Sequence, residues 1–249
     1  MFQFIKKLYK KDLNLCLWFF LPIIILFIIL FTKIAFTEIF NKFFPSEGGI
    51  IENGTFVILF FSIIISFLTL KIIKIKIKQK KLLIIIFFYT LGLIYFAGEE
   101  ISWGQHWFHW EATEFFKTYN DQYIGNTSET NFHNISSWFD QKPRILLTFF
   151  VLIGGIICPI FLSNNININS LKFWIYPTYH SFPTSLICLF FFLLDNSYKI
   201  LCFGEPGIDN YCKYLPYFLY FRTSEIIELY IALFLLIYIS SINFRLKKI

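Results

Sequence analysis

Residues 80–107 read KKLLIIIFFYTLGLIYFAGEEISWGQHW, and the setting of two acids in this stretch decides how the chain is read. After the lysine pair, Leu82 to Ala97 carries no charge. Gly98-Glu99-Glu100-Ile101-Ser102-Trp103-Gly104-Gln105-His106 follows. An uncharged apolar run flanked by lysine is the pattern of a membrane helix, and this one is short unless the helix continues into the acids. Two adjacent carboxylates at a hydrocarbon edge are costly to desolvate and are rarely kept there without a polar partner. Function is therefore sought at this point.

Five more runs of the same kind flank it. Spans are expected at about 15–36, 50–70, 82–97, 145–162, 174–194 and 221–240, each near the length that crosses a bilayer. Of the 249 residues, 57% are hydrophobic and 15% charged, and the apolar excess is gathered in blocks, which argues for membrane spans and against an oversized soluble core. The first run is long for a signal peptide, and no small-residue cleavage site follows it, so it reads as a retained anchor. No internal repeat is evident. The expected fold is an all-α integral membrane bundle of about six transmembrane helices, a single domain over 1–249.

The flanking charges set the orientation. Lys6, Lys7, Lys10, Lys11, the six lysines from Lys71 to Lys81, Lys172, Arg245, Lys247 and Lys248 place 14 cations on one side, and the other side carries seven, Lys42, Lys117, Lys142, Arg144, Lys199, Lys213 and Arg222. Positive charge marks the cytoplasm, so both termini are expected there, in a bacterial plasma (inner) membrane. Of the sixteen acids only Asp12 falls on the cytoplasmic side. Lys33 lies inside span one near its outer end, from which it can snorkel to water. The formal charge of +6 does not point to nucleic acid: the lysines alternating with isoleucine over 71–81 are a topology signal beside anionic lipid.

The extracytoplasmic loop over 98–144 holds His106, His109 and His133 with Trp103, Trp107, Trp110 and Trp138. Aromatics with polar edges favour the membrane–water interface, so Ser102 to Phe116 reads as an amphipathic, Trp-rich helix on the outer surface. If span three continues past Gly98, Glu99, His106 and His109 share a face; if Gly98 and Gly104 break the helix, that register is lost. Arg222, Glu225 and Glu228 recur every third residue at the start of span six, and Glu52 opens span two. All these groups sit at the outer ends of their helices, so one polar site is expected there. A structural ion-pair network, with Arg222 neutralising Glu225 or reaching Glu99 or Glu100, is the competing account. Glu129-Thr130-Asn131-Phe132-His133-Asn134 adds groups suited to hydrogen-bond networks or metal ligation.

Cys202 and Cys212 fall in the outer loop after span five and are expected to form a disulfide in an oxidising compartment. Cys16, Cys158 and Cys188 read as apolar packing. Gly154-Gly155 and Pro159 suggest close packing and a kink in span four, and Pro177 and Pro183 suggest unwinding around His180 in span five.

Together, Gly98-Glu99-Glu100-Ile101-Ser102-Trp103-Gly104-Gln105 and Glu129-x-Asn131-x-His133-Asn134 resemble the paired GEExSWGQ and ExNxHN segments of a family of uncharacterised bacterial multi-pass membrane proteins. Glu47-Gly48-Gly49 with Glu52 and Thr55 is similar to that family's acid-Gly element before span two. The resemblance covers roughly residues 45–135 and, loosely, span six. It implies a multi-pass fold and singles out Glu99, Glu100, Glu129, Asn131, His133 and Asn134, but it supplies no reaction. Members usually carry Arg where this chain has His106. A more distant likeness, to CAAX-type intramembrane proteases, stops at the Glu pair: Gly104 stands where their EExxxR pattern requires Arg.

Three functional readings follow, in order. The first is a membrane-embedded hydrolase-like enzyme acting on a lipid or membrane-anchored substrate at the outer leaflet. Glu99 or Glu100 would be its general base, His133 with Asn131 or Asn134 would stabilise an oxyanion, and Glu129, Gln105, His106, Arg222, Glu225 and Glu228 would support them. A divalent metal held by Glu99, His133 and Glu228 is an open variant. The second is a non-catalytic subunit or assembly factor that docks a membrane protein partner. The third is a transporter.

Overall fold

The computed structural model describes residues 13–44, 48–120, 123–124, 127–132, 135, 137–162, 170–203 and 223–248. Six helices are long and apolar enough to cross a bilayer: span one Cys16–Ala35, span two Ile50–Ile77, span three Lys80–Glu100, span four Lys142–Ile160, span five Leu171–Ser197 and span six Thr223–Lys247. Apart from one two-residue antiparallel pair, Tyr123–Ile124 with Thr127–Ser128, the described elements are helical. The chain is an all-α polytopic membrane protein in a lipid bilayer.

Span six is the axis. Its apolar residues run all round it and nearly all are buried, as expected of a helix enclosed on every side. Span two packs on it most extensively, span five next, and span three lies outside span two. Close approach of span two comes from a buried stripe of small hydroxyl residues, Thr55, Ser62, Ser66 and Thr69, spaced seven, four and three residues apart along one face. Ser66 Oγ meets Thr90 Oγ1 of span three (2.6 Å), and Asn243 Nδ2 of span six donates to Thr69 Oγ1 (2.9 Å). Span four approaches span five where glycine allows: a Cβ on Gly155 would lie 1.8 Å from Ser185 Oγ. The second half of span four, Ile153–Leu162, is π-helical around Pro159.

Two expectations change at the helix ends. Lys33 does not snorkel. Span one stops at Ala35, the helix Thr37–Phe43 folds back, and buried Lys33 donates from Nζ to Asn41 Oδ1 (2.8 Å) above the Phe40 ring. A polar partner on the next helix removes the need to reach water. Arg245, which reads in the sequence as a flanking topology charge, is fully buried. It donates to the carbonyls of Phe173, Trp174 (3.3 Å) and Ser241 (3.3 Å). Span five is interrupted there: a helix Leu171–Ile175, extended residues to Thr178, a 3₁₀ turn Tyr179–Ser181, then the helix Phe182–Phe203. Pro177 cannot continue the first helix, and Arg245 satisfies carbonyls left at its end.

The six spans have two unlike ends. Lys71 to Lys81, Lys172 and Arg245 to Lys248 mark one; Glu52, Glu99, Glu100, Glu225 and Glu228 mark the other.

Candidate functional site

The helix of span three runs through Gly98 and ends only after Glu100. Neighbouring residues on a helix point about 100° apart, so Glu99 and Glu100 face different surroundings and take different partners.

Glu99 belongs to a clasp. Ser102, Trp103 and Gly104 all have positive φ (46°, 54° and 99°), and this left-handed turn reverses the chain over the end of span three. Two non-glycine residues in that region cost roughly 1–3 kcal/mol each, and side-chain bonds hold them. Trp103 Nε1 donates to Glu99 Oε1 (2.7 Å), with its ring laid on Gly98, where a Cβ would sit 2.8 Å from Trp103 Cε3. Ser102 Oγ donates to Glu129 Oε1, which also meets His106 Nε2 (2.8 Å). Buried Gln105 reads the backbone of the second motif: Oε1 accepts from Thr130 N (2.6 Å) and Nε2 donates to Ser128 O (3.0 Å) and Trp110 O (3.2 Å). Phe132 N donates to Glu99 Oε2 (2.7 Å). Asn131 Nδ2 reaches Ser102 Oγ (3.4 Å), and Asn120 Nδ2 donates to Glu129 O (2.6 Å) and Asn131 Oδ1 (3.2 Å). The GEExSWGQ and ExNxHN segments therefore recognise each other. Trp107 fastens the assembly to span two, donating from Nε1 to Asn53 Oδ1 (2.9 Å) with its ring edge-on to Phe56.

Glu100 faces the bundle. Spans three and four do not pack closely on one another, and the gap between them, backed by span six, is a cavity of about 410 Å³. Its walls are apolar, among them Phe88, Leu93, Phe96, Leu147, Ile231 and Leu235, and Glu99, Glu100, Arg144 and Glu228 gather at its Glu-rich end. Arg144 Nη2 pairs with Glu228 Oε1 at 2.8 Å. Glu100 feels the carboxyls of Glu228, Glu225 and Glu52 and the Arg144 guanidinium, but it makes no hydrogen bond or ion pair with any described residue. Tyr95 lines the same cavity, and its buried hydroxyl has no hydrogen-bond partner among the described residues. A second run of acids leads away: His106 Nδ1 lies 3.9 Å from Glu52 Oε2, which accepts from Gly48 N (2.5 Å).

The groups expected at one end of the helices are thus at one end, divided between clasp and cavity. Glu99, Gln105, His106, Glu129 and Asn131 make the clasp; Glu100 and Glu228 make the cavity head, with Glu225 in the first turn of span six. The stripe Glu99–His106–His109 does not form, because the left-handed turn intervenes. Nor is 102–116 one surface helix: a 3₁₀ turn, the single helical turn Gln105–Phe108, extended residues and the helix Glu114–Tyr119 succeed one another. His133, Asn134, Arg222 and Cys212 lie outside the described residues, as does the side chain of Cys202, and with them the expected oxyanion groups, the Arg222 pairing and the disulfide. The same holds for the His133 ligand of the Glu99–His133–Glu228 metal set. Among the described residues no three His, Cys, Asp or Glu side chains are placed to hold a metal ion.

Three contributors were not singled out from sequence. Arg144 reads in the sequence only as a flanking charge, although a cation beside Pro143 at the start of span four can turn inward as easily as outward. Ser102 and Tyr95 carried no signal beyond their places in the motif and the span. Comparison of the chain with protein-family models, curated proteins and solved structures finds no match.

Proposed function

We propose that this protein is a membrane-embedded hydrolase-like enzyme acting on a lipid or membrane-anchored substrate, with Glu100 as its general base. The observation that carries the reading is a carboxyl at the head of an apolar cavity, bound to none of the described residues. A scaffold gains nothing from such a group, since desolvating it is unfavourable and no partner among the described residues offsets the cost. A base needs that freedom. The apolar part of the substrate lies between spans three and four with its labile bond at the Glu-rich end. Glu100 takes a proton from water as the water oxygen attacks the acyl carbon, and returns it to the leaving group. Arg144 is the cation at hand for the charge developing on the carbonyl oxygen. The positive-inside rule puts this end outside, in a bacterial plasma membrane with both termini cytoplasmic. Membership of the uncharacterised GEExSWGQ family rests on the motifs and supplies no reaction.

The test is lipid turnover by the purified, reconstituted full chain, followed by mass spectrometry of a membrane lipid extract. Glu100→Gln should abolish product formation while leaving elution and melting unchanged. Undiminished turnover in that variant refutes the assignment.

A second reading, a non-catalytic subunit or assembly factor, draws on the exposed aromatics around the clasp, Trp103, Trp107, Phe108, Trp110 and Phe115, because aromatic surfaces are common at interfaces. A stoichiometric membrane protein partner that co-purifies, and is lost on Trp110→Ala, would favour it.

A further inference from the structure

We infer that the cavity holds one hydrocarbon chain of an outer-leaflet amphiphile whose head donates a hydrogen bond and carries no negative charge. This rests on the reading of the cavity as a substrate chamber and names the class of molecule it takes. Three observations carry it. The first is length. Phe88 lies twelve residues before Glu100 on one helix, about 18 Å at 1.5 Å per residue, and half of a hydrocarbon core of roughly 30 Å is about 15 Å. The chamber is one leaflet deep. The second is breadth. A volume of about 410 Å³ is at the low end of the roughly 300–1,000 Å³ of ligand pockets, so it suits one chain better than two. Exposed Phe88 and Leu146 stand on its two facing walls, so a chain can enter sideways from lipid.

The third is the head. Glu100 offers an acceptor bound to no described residue, and the buried Tyr95 hydroxyl, likewise without a partner among the described residues, lines the same space. An alcohol or amide head satisfies the Glu100 acceptor. A carboxylate or phosphate would add negative charge to an end where Glu52, Glu100, Glu225 and Glu228 gather and where the one cation of the cavity lining, Arg144, is already engaged by Glu228.

Gly92 provides the control. It lines the cavity, and a Cβ built on it meets nothing within 4 Å. A side chain at this position starts into open space, so Gly92→Phe narrows the chamber, and it removes a residue that weakens helices.

The full chain in lipid nanodiscs is irradiated with two photoactivatable probes of the same chain, a long-chain primary alcohol and the corresponding fatty acid. Labelled peptides are then mapped. The alcohol should label spans three and four about tenfold more than the acid at neutral pH. Gly92→Phe should remove that labelling without changing the melting temperature, and Glu100→Gln should narrow the preference. Equal labelling by both heads overturns the inference, as does alcohol labelling that survives Gly92→Phe. Alcohol binding without any lipid turnover sinks the hydrolase reading alone. Glu100-dependent turnover of a substrate that never labels the cavity sinks this inference alone.

Discussion

Replacing each of the two adjacent glutamates by glutamine should separate a structural role from a reactive one. Glu99, 6% exposed, accepts two hydrogen bonds with both of its oxygens, from Trp103 Nε1 and Phe132 N, each at 2.7 Å. An amide keeps one acceptor and turns a donor towards a donor. One charge-assisted bond is lost, at about 1.5–3 kcal/mol, and a buried N–H is left facing the wrong group. A total of about 2–3 kcal/mol follows, or roughly 4–12 °C of melting temperature at about 2–4 °C per kcal/mol for a chain of this length. Glu100 gives up no bond to any described residue, and Glu100→Gln relieves repulsion from Glu228, Glu225 and Glu52. Its melting temperature should stay within about 2 °C of the parent or rise. Both variants are read in detergent by tryptophan fluorescence on heating and by the monodisperse fraction remaining afterwards. An equal drop in the two, or none in Glu99→Gln, would refute the division into clasp and cavity.

Gln105→Ala deletes three hydrogen bonds to backbone groups, those of Thr130 in the second motif, Ser128 just before it and Trp110. It should cost about 2–4 kcal/mol and show as faster protease cleavage between residues 105 and 132 with the spans intact. Arg245→Met strips carbonyl partners from Phe173 and Trp174. A loss of about 3 kcal/mol in melting assays is expected, and Arg245→Lys should not restore it, because an ammonium lacks the guanidinium fork. Gly155→Ala puts a Cβ 2.6 Å from Ser185 Cβ, which no hydroxyl rotation relieves. Spans four and five should part by enough to lower the yield of folded protein.

The spans were legible because a bilayer demands long uncharged runs, and six such runs are plain in this chain. The Glu-rich end was legible for the same reason, since every acid interrupting an apolar context is conspicuous. That Glu99 and Glu100 part company was also available: consecutive helical residues do not share a face. The left-handed turn was not. Gly104 announces a positive φ, but Ser102 and Trp103 adopt one only because Glu129 and Glu99, remote and near in sequence, bind their side chains. The inward turn of Arg144 and the burial of Arg245 depend likewise on which helix lies opposite, and a flanking cation looks the same in sequence whether it faces lipid headgroups or a carbonyl.

The buried polar groups elsewhere bear on whether the molecule conducts or contains. A pathway needs polar atoms that can serve a passing solute. Thr55, Ser62 and Thr69 donate to the carbonyls of Ile51, Ile58 and Ile65 one turn back, which takes up their protons locally and leaves a smooth surface for span six. His180, the one histidine deep in a span, is engaged by Thr178 Oγ1 (2.9 Å) and packed edge-on against Trp18. His180 is not part of the cavity lining, which away from its Glu-rich end includes Phe88, Tyr89, Leu93 and Leu235, with the Tyr89 hydroxyl taken up by Leu235 O (2.8 Å). Among the described residues, then, Ser62, Ser66, Thr90 and Tyr89, which lie between the two ends, are taken up by one another or by backbone carbonyls. A chamber open to one leaflet, closed below by hydrocarbon, suits a molecule that enters from the membrane and returns to it better than one that crosses.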